Sequence, residues 1–599
     1  MKHLQFLFFL GLLPAVSVAT MSATAADHFS VGNQTAAKFG VHEVVLTGNA
    51  SAANPFDTVA TVVFTPPSGA ANARQVQAFY DGGNTWRARV YASEPGVWHW
   101  TSASAADPGL DGKSGAFKVA DSKLRGRLLI HPKSPRQWIT EDGRWFLNLN
   151  DTAYFLLCSH DGKGEPVSWE DFAAYVHDAV AHGITSFRSF GVNGPKKFMG
   201  GSSDRHRWYD LFADESLTRL NLEHLQTADR RLRWLLDKYP DVYVQFILFP
   251  LGTLWRTDES FWAKLDSAQK ERVMRHLIAR FAAYPSVFWL IVNDAHYAPD
   301  ELSGNSRDVA GARQAAKYPN NIALAREVGA YFRKHDPWQH PLSTGHARTV
   351  PFQFGAEDWA TYLHLEDQYD LGARAYEPYH RFAKPVFLGE DRYEQDHPDR
   401  DPNDMRYYQR RLFWEWLLSG GSANYGGRWW AVHPYTQTGK RETPNPWHKG
   451  VTHKAQLLGL DSVQFIRGYF ADRQIELCNF EPDHGLAKDL DGAEGAASPK
   501  VMRRGQKEFL VYHPNAASSA KDARPVRGRA ARLSLNLAGA SGAFSTEWYR
   551  AADGASQSGT PVTGGGEVRF SSPWPGHDVV LRAVRFCIPW RQSCGDRRW

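Results

Sequence analysis

Short apolar runs alternate with segments of helical periodicity between residues 144 and 427, and this alternation limits the possible folds more than any other feature. Apolar runs of this length, bounded by turn residues, are typical of buried parallel strands. The eight predicted strands span residues 144–151, 184–191, 242–250, 286–294, 341–346, 360–366, 384–391 and 421–427. Five helices are predicted between them, at 168–183, 217–239, 267–284, 321–335 and 404–418. Eight strands alternating with helices predict an α/β fold, the (β/α)8 TIM barrel.

Segments rich in β-forming residues lie on both sides of the predicted barrel. Before it, such runs are separated by Gly, Pro and Asn turns, and helical periodicity is absent. After it, similar runs are separated by Gly and Ser turns. The sequence therefore predicts an N-terminal β-sandwich at 26–125, the barrel at 126–462, a C-terminal β-sandwich at 463–587 and a basic tail at 588–599.

Residues 1–25 have the pattern of a secretory signal peptide. Lys2 and His3 precede an apolar run from Leu4 to Leu13, and Ala23-Thr24-Ala25 offers a cleavage site of small residues. The apolar run is too short for a good membrane span, and no other segment approaches one. We therefore expect an exported protein, periplasmic or extracellular, without a membrane span.

Charge and aromatic content narrow the classes of partner. A net charge of +5 over 599 residues is mild, and no basic run contains interleaved aromatic residues, so nucleic acid is not an expected partner. The chain has 22 Trp, whose ring faces can stack on sugars, although apolar cores account for most of them. A carbohydrate is the expected partner.

Asp294 is the last residue of the fourth predicted strand, and Glu390 lies at the end of the seventh, next to its last residue. Barrel enzymes place their chemistry at the C-terminal ends of the strands, and strands four and seven lie nearly opposite each other. Glycoside hydrolysis needs one carboxylic acid for the leaving oxygen and a second carboxylate that acts on the anomeric carbon or on water. We predict that Glu390 is the nucleophile and Asp294 the acid/base. The structural alternatives are an ion pair for Glu390 and a helix or loop cap for Asp294.

Three segments, Phe146–Ala153, Pro285–Asp294 and Pro385–Glu390, resemble those of the apiosidase-like glycoside hydrolases. This group is part of the large clan of retaining barrels with the acid/base on strand four and the nucleophile on strand seven. Most of that clan has Asn-Glu at the end of strand four, whereas Asn293-Asp294 fits the apiosidase-like subgroup. The resemblance implies an exported glycosidase that acts on plant or microbial polysaccharide and has accessory β domains on both sides.

Further residues at or just past the predicted strand ends are candidate substrate ligands. They are Asp151, Arg188, Asn293, His346, His364 and Trp429. Arg188 could instead orient Glu390, and Trp429 could form a stacking floor for a sugar. The alternatives are structural: a loop cap for Asp151, an internal salt bridge for Arg188, buried structural side chains for the two histidines, and core packing for Trp429.

Other chemistries lack their motifs in this sequence. There is no Gly-x-Ser-x-Gly elbow, no P-loop and no zinc spacing of Cys or His, and residues 148–151 are Asn-Leu-Asn-Asp where a metal-dependent barrel would have His-x-His. We therefore predict neither a cofactor nor a metal. Two alternatives to a retaining glycosidase stay open, an inverting enzyme that uses the same carboxylates and a non-catalytic carbohydrate-binding protein. Apiose, arabinose and galactose units of pectin-like chains are all candidate substrates.

Overall fold

The computed structural model describes most of the chain after residue 25. The described residues are 26–49, 52–161, 165–191, 211–214, 216–249, 262, 265–293, 295, 297, 321–347, 353–366, 373–391, 393–394, 402–427, 432, 458–519 and 523–586. The predicted signal peptide, Asp294, Trp429 and the predicted basic tail lie outside them. The predicted domain boundaries stay predictions.

Eight strands at the N-terminal side form one hydrogen-bonded sheet in the order β4-β3-β7-β8-β2-β6-β5, with β1 paired to β2. The strands are β1 Asp27–Val31, β2 Ala36–Thr47, β3 Thr61–Thr65, β4 Arg74–Gln77, β5 Phe79–Tyr80, β6 Thr85–Tyr91, β7 Gly96–Ala103 and β8 Ser114–Ala120. The first residues of the long β2 pair with β8 and its remainder pairs with β6, so this strand joins two parts of the sheet. β structure in this region is confirmed, while its description as a sandwich stays a prediction.

The middle of the chain forms a parallel sheet in the order β15-β14-β13-β12-β11-β19-β18-β17-β16. Its strands are β11 Leu149–Thr152, β12 Ser186–Phe190, β13 Tyr243–Phe249, β14 Val287–Val292, β15 Leu342–Ser343, β16 Gly345–Ala347, β17 Leu363–Glu366, β18 Val386–Glu390 and β19 Gly421–Tyr425. β15 pairs with β14, β16 pairs with β17, and only Thr344 separates β15 from β16. These two segments are therefore the halves of one fifth strand, and the sheet is a nearly closed barrel.

Helices alternate with the barrel strands, as the sequence predicts. They are α1 Trp169–Ala181, α2 Leu222–Lys238, α3 Ser267–Phe281, α4 Asn321–His335, α5 Ala373–Arg381, α6 Pro402–Leu418 and, after the barrel, α7 Val463–Asp472. The Ser168 hydroxyl accepts a hydrogen bond from the Asp171 amide at the start of α1, and a capping box of Asp266 and Gln269 starts α3. Helices α5 and α7 were not predicted. Among the described residues, no helix combines the length and apolarity that crossing a membrane requires.

The barrel interior changes from apolar to polar along its axis. A cluster of rings at its N-terminal end joins the barrel to the β9–β10 hairpin (Leu128–Ile130 and Trp138–Thr140) and consists of Trp138, Phe146, Tyr243, Phe288, Tyr362 and Phe387. Above these rings, Asn148 and Asn150 are buried and hydrogen-bond to Ser186 and Ser422. The rings close the N-terminal side of the barrel. Polar side chains converge at the opposite side, where the strands terminate.

Buried ion pairs hold the N-terminal sheet against the barrel. The Arg89 guanidinium on β6 contacts Glu43 of β2 at 2.8 Å and Asp229 of α2 at 2.6 Å. Arg280 of α3 contacts the same Asp229 at 2.5 Å and Asp81 at 2.8 Å. Arg87 completes this group, which we call the domain-interface network, through contacts with Glu43 and Asp81. Three arginines face three carboxylates across the two regions.

The C-terminal side contains a six-stranded and a three-stranded antiparallel sheet that share one apolar core. The strands are β20 Glu481–Pro482, β21 Ala487–Asp489, β22 Lys500–Arg504, β23 Glu508–His513, β24 Arg532–Asn536, β25 Ala543–Arg550, β26 Ser556–Thr563, β27 Glu567–Ser571 and β28 Val579–Phe586. The first β-rich run after the barrel, residues 474–480, is predicted as a strand, and this prediction was wrong, because the segment contains the 3-10 turn Leu477–Asn479. β structure is confirmed here too, and its assignment as a sandwich stays a prediction.

Candidate active site

Glu390 is the last residue of β18 and is 8% exposed. The pairing of β17 with β18 shifts register at this point, since Leu365 pairs with Leu388 but Glu366 pairs with Glu390. Gly389 is therefore an extra residue, and such a bulge re-aims the side chain that follows it. A Cβ at Gly389 would lie 1.7 Å from the His364 ring, so this position requires glycine. The bulge directs Glu390 towards the cation on β12.

That cation is Arg188, which is fully buried and lies between two carboxylates. Its Nη1 donates to Glu390 Oε2 at 2.9 Å, and its Nη2 donates to Glu366 Oε1. Burial by itself lowers the pKa of Arg188, but the attraction of Tyr154, Glu366 and Glu390 outweighs it and holds the pKa well above its ordinary value. Arg188 is therefore a permanent positive charge beside Glu390.

Tyr154, in the loop after β11, also donates its hydroxyl to Glu390 Oε2. Arg188 Nη1 donates to the same hydroxyl oxygen at 2.8 Å and lies over the Tyr154 ring. The ring stacks on Phe190, with centroids 4.6 Å apart. Two donors thus meet one oxygen of Glu390 and hold the carboxylate in one orientation, which favours its ionised form.

The end of strand four reaches the same point. Asn293 follows β14 directly, is buried, and places its Nδ2 3.5 Å from the Tyr154 hydroxyl oxygen. Asp294 is the next residue along the chain but lies outside the described part of it, so its distance to Glu390 is not part of this geometry. Asn293, which precedes the predicted acid/base, and Glu390, the predicted nucleophile, therefore both contact Tyr154.

His364 contacts Glu366 and has a defined tautomer. Tyr362 donates its hydroxyl to the Trp289 carbonyl, so the hydroxyl oxygen accepts from Gln245 Nε2 at 2.8 Å. The same Gln245 amide donates to His364 Nδ1 at 3.0 Å, which leaves the proton on Nε2, 3.1 Å from Glu366 Oε1. Burial, with Arg188 as a second cause, holds the pKa of His364 well below its usual range. The ring is a neutral donor to Glu366.

His346 and Asp151 are buried in other surroundings. His346 Nδ1 lies 3.2 Å from the His364 carbonyl oxygen, and burial lowers the pKa of His346 to about 4. Asp151 accepts a hydrogen bond of 2.9 Å from the Tyr175 hydroxyl of α1, on the helix side of the strand. This contact favours a structural role for Asp151, and the predicted sugar contacts of both residues stay predictions.

The arrangement suits chemistry at an anomeric carbon. A glycosidase nucleophile requires a carboxylate that is oriented at a strand end, and here Arg188 and the Tyr154 hydroxyl orient Glu390. The family described as "Apiosidase-like, catalytic domain" matches residues 133–476. The chain belongs to the apiosidase-like family of glycoside hydrolases. Residues 35–105 also match a domain of unknown function, DUF5060.

Solved structures share the fold of this apiosidase-like chain. A candidate glycoside hydrolase from Bacteroides vulgatus ATCC 8482 aligns with a TM-score of 0.64 at 16% identity, over 93% of this chain and 100% of that one. A glycoside hydrolase family 5 protein from the same organism aligns with a TM-score of 0.52 at 16% identity, over 77% and 94% of the two chains. At this identity the likeness shows the fold alone. No curated protein matches the chain.

Two members of this site were missed from the sequence. Glu366 is the last residue of the sixth predicted strand, and its strand-end position was the available signal. Tyr154 follows the segment Phe146–Ala153 by one residue, but a loop tyrosine has no spacing that points to a strand-seven carboxylate. Trp429 lies outside the described residues. The described residues contain no group of three or more His, Cys, Asp or Glu side chains placed to hold a metal ion.

Proposed function

We propose that this apiosidase-like protein is exported and cleaves O-glycosidic bonds of plant or microbial polysaccharides with retention of anomeric configuration. Glu390 is the nucleophile and Asp294 the acid/base. The observation that supports this most strongly is the convergence on the Tyr154 hydroxyl, which donates to Glu390 and lies 3.5 Å from Asn293 Nδ2. Since Asn293 directly precedes Asp294, the ends of strands four and seven meet at one place.

The first step is attack by Glu390 on the anomeric carbon. Arg188 and Tyr154 keep this carboxylate ionised and hold its rotation through Oε2. Asp294 protonates the leaving oxygen as the bond between that oxygen and the anomeric carbon breaks. A glycosyl ester of Glu390 is the product of this step.

The second step is hydrolysis of that ester. Asp294, now a carboxylate, takes a proton from water, and the water oxygen attacks the anomeric carbon. The Glu390 carboxylate leaves, and Arg188 and Tyr154 receive its returning negative charge with contacts that are already formed. Asn293 follows strand four directly, and its side chain could bind the hydroxyl next to the anomeric carbon.

The experiment is hydrolysis of a panel of pectic and arabinan oligosaccharides by the wild type, Glu390→Ala and Asp294→Ala, with the released sugars identified. We expect turnover of at least one member and a loss of about 10²-fold or more in each variant. Glu377→Ala is a matched control, because Glu377 is an exposed residue of α5. Wild-type turnover in either active-site variant would overturn the role of that carboxylate.

Proton NMR of the first product distinguishes the two mechanisms. A retaining enzyme releases the anomer that the substrate contained, and an inverting enzyme releases the other. Retention requires a carboxyl separation of about 5–5.5 Å and inversion about 6.5–9.5 Å. An inverted first product would make Glu390 the general base that activates water. Binding of the panel without turnover, unchanged in both variants, would support the non-catalytic alternative.

Export is tested by fractionation of the native host. We expect the protein in the periplasm or the medium, with an N-terminus near Ala26 or Asp27. A cytoplasmic protein that retains Met1 would contradict this part of the proposal.

A further inference from the structure

Glu366 is a buried carboxylate that the two chemical steps do not use. It is the last residue of β17, is 0% exposed, and accepts from Arg188 Nη2 and from His364 Nε2 through the same oxygen. A fully buried carboxylate is costly unless it has such partners. Its position directly across the register shift from Glu390 gives it a defined relation to the proposed nucleophile.

Two glycines make room for this arrangement. A Cβ at Gly345 of β16 would lie 2.5 Å from both carboxylate oxygens of Glu366. A Cβ at Gly389 of β18 would lie 1.7 Å from the ring of His364, the donor to Glu366. Contacts under 3.0 Å do not occur for real Cβ atoms, so any side chain at either position would displace the carboxylate or its donor. The backbone on both sides of β17 is shaped around Glu366 and His364.

Two anions share Arg188 in this group. Arg188 supplies one positive charge and contacts two carboxylates, those of Glu366 and Glu390. His364 and His346 are neutral because burial lowers the pKa of each. Burial also raises the pKa of the tyrosines that face the two carboxylates, Tyr297, Tyr362 and Tyr393, so they remain neutral hydroxyls. Within these contacts the attraction of Arg188 is therefore divided between two anions.

We propose that Glu366 is a positioning residue that tunes Glu390 by sharing Arg188 with it. A carboxylate paired with an arginine that has no other anion is strongly stabilised, and this makes it both more acidic and less nucleophilic. Glu366 takes part of that attraction, so Glu390 stays ionised at neutral pH yet remains reactive towards the anomeric carbon. The chemical consequence rests on the proposed function, whereas the electrostatic consequence does not.

The first test needs no substrate. The difference in unfolding free energy between wild type and Glu390→Gln is measured by urea denaturation from pH 3 to 8. It has a midpoint that lies between the pKa of Glu390 in the folded protein and the pKa in the unfolded chain. The same difference is then measured in a Glu366→Gln background. Without the second anion Arg188 acts on Glu390 alone, so we expect the pKa of Glu390 in the folded protein to fall by about one unit and the midpoint by about half a unit. An unchanged or higher midpoint would overturn the proposal.

The second test uses whichever panel member is cleaved. In Glu366→Gln we expect the acidic limb of kcat/KM to move down by about one pH unit and the plateau of kcat to fall about tenfold. Glu366→Asp retains the charge and should restore the position of the limb. A limb at its wild-type position in Glu366→Gln would contradict the inference.

Glu415→Gln is the matched control. Glu415 is a fully buried glutamate that accepts from Arg411 Nε at 2.7 Å on α6, away from the candidate site. The Glu415→Gln variant should be less stable than the wild type. It should move neither the midpoint of the stability difference nor the acidic limb of kcat/KM.

Should Glu366→Gln fail to fold, Gly345→Ala provides a second variant, because it displaces the Glu366 carboxylate while keeping its charge. It should move the midpoint of the stability difference in the same direction. Full turnover in Glu390→Ala would overturn the proposed function. The first test, which needs no substrate, would still decide whether Glu366 affects the ionisation of Glu390.

Discussion

The candidate active site and the domain-interface network both bury arginines among carboxylates, but their charges differ. At the interface, Arg87, Arg89 and Arg280 contact Glu43, Asp81 and Asp229, three cations with three anions. At the barrel mouth, Arg188 contacts both Glu366 and Glu390. The balanced group satisfies each charge and holds two regions together. At the barrel mouth one guanidinium is shared by two carboxylates, and our proposal is that this sharing keeps Glu390 reactive.

The positions of the anions also differ, although their exposed fractions are nearly equal, 7% for Asp229 and 8% for Glu390. Asp229 contacts two arginines and receives the Tyr284 hydroxyl, so it is enclosed by partners. Glu390 is 8% exposed and lies at a strand end, where a substrate can approach. A buried ion pair is therefore not by itself a sign of chemistry. The position of Glu390 at a strand end of the barrel distinguishes the site from the structural network.

The largest expected effect comes from making the same change in both regions. Arg188→Met removes a cation that contacts both Glu366 and Glu390, and we expect kcat/KM to fall by about 10³-fold, because Glu390 loses a donor that orients it and receives its returning negative charge. The acidic limb of the pH profile should move up, because the two carboxylates then repel each other. Arg89→Met should destabilise the protein and leave kcat per folded molecule within twofold. Equal losses of kcat in both variants would remove the distinction.

Removal of one anion from each region should affect stability unequally. Asp229→Asn leaves Arg89 and Arg280 short of a partner, and we expect the unfolding free energy to fall by about 3 kcal/mol in urea denaturation at pH 7. Glu390→Gln removes one of the two carboxylates that contact Arg188, and the arginine keeps Glu366 as a partner. Its unfolding free energy should change by less than about 1 kcal/mol or rise. A loss in Glu390→Gln as large as that in Asp229→Asn would show that the site charges are balanced by other groups.

The smallest effect concerns acid stability in the N-terminal sheet. Burial lowers the pKa of His42 to about 3, and its ring stacks on Phe117 with centroids 3.6 Å apart. The unfolded chain binds a proton on this histidine below about pH 6.5, whereas the folded protein does not. The stability is fully present above that pH and is lost as the pH falls towards 3, by about 2 kcal/mol at pH 5.

Urea denaturation at pH 7 and pH 5 checks this expectation. His42→Gln should reduce the loss of stability between the two pH values by about that amount. His99→Gln is the control, because His99 is exposed on β7 of the same sheet. An equal loss in wild type and His42→Gln would show that His42 is not responsible for acid sensitivity.

The barrel was predictable because local sequence patterns specify its strands and helices. Each predicted strand is a run of six to nine residues bounded by turn residues, and each predicted helix has its own periodicity. The strand ends were also predictable, and with them the position of Glu390 at the mouth. The helix Ala373–Arg381 was missed because Pro378 interrupts its sequence pattern. The split of strand five at Thr344 was missed because nothing in the sequence marks which neighbour each half pairs with.

The sequence by itself determined the fold class, the family and the strand ends at which polar side chains gather, because these depend on local periodicity and on residue types at fixed spacing. Only the tertiary structure decided which side chains share Arg188. That outcome depends on a one-residue register shift at Gly389, on the space left by Gly345, and on a loop tyrosine that crosses to strand seven. Each of these joins residues more than 15 positions apart in the chain, through packing that no local pattern specifies.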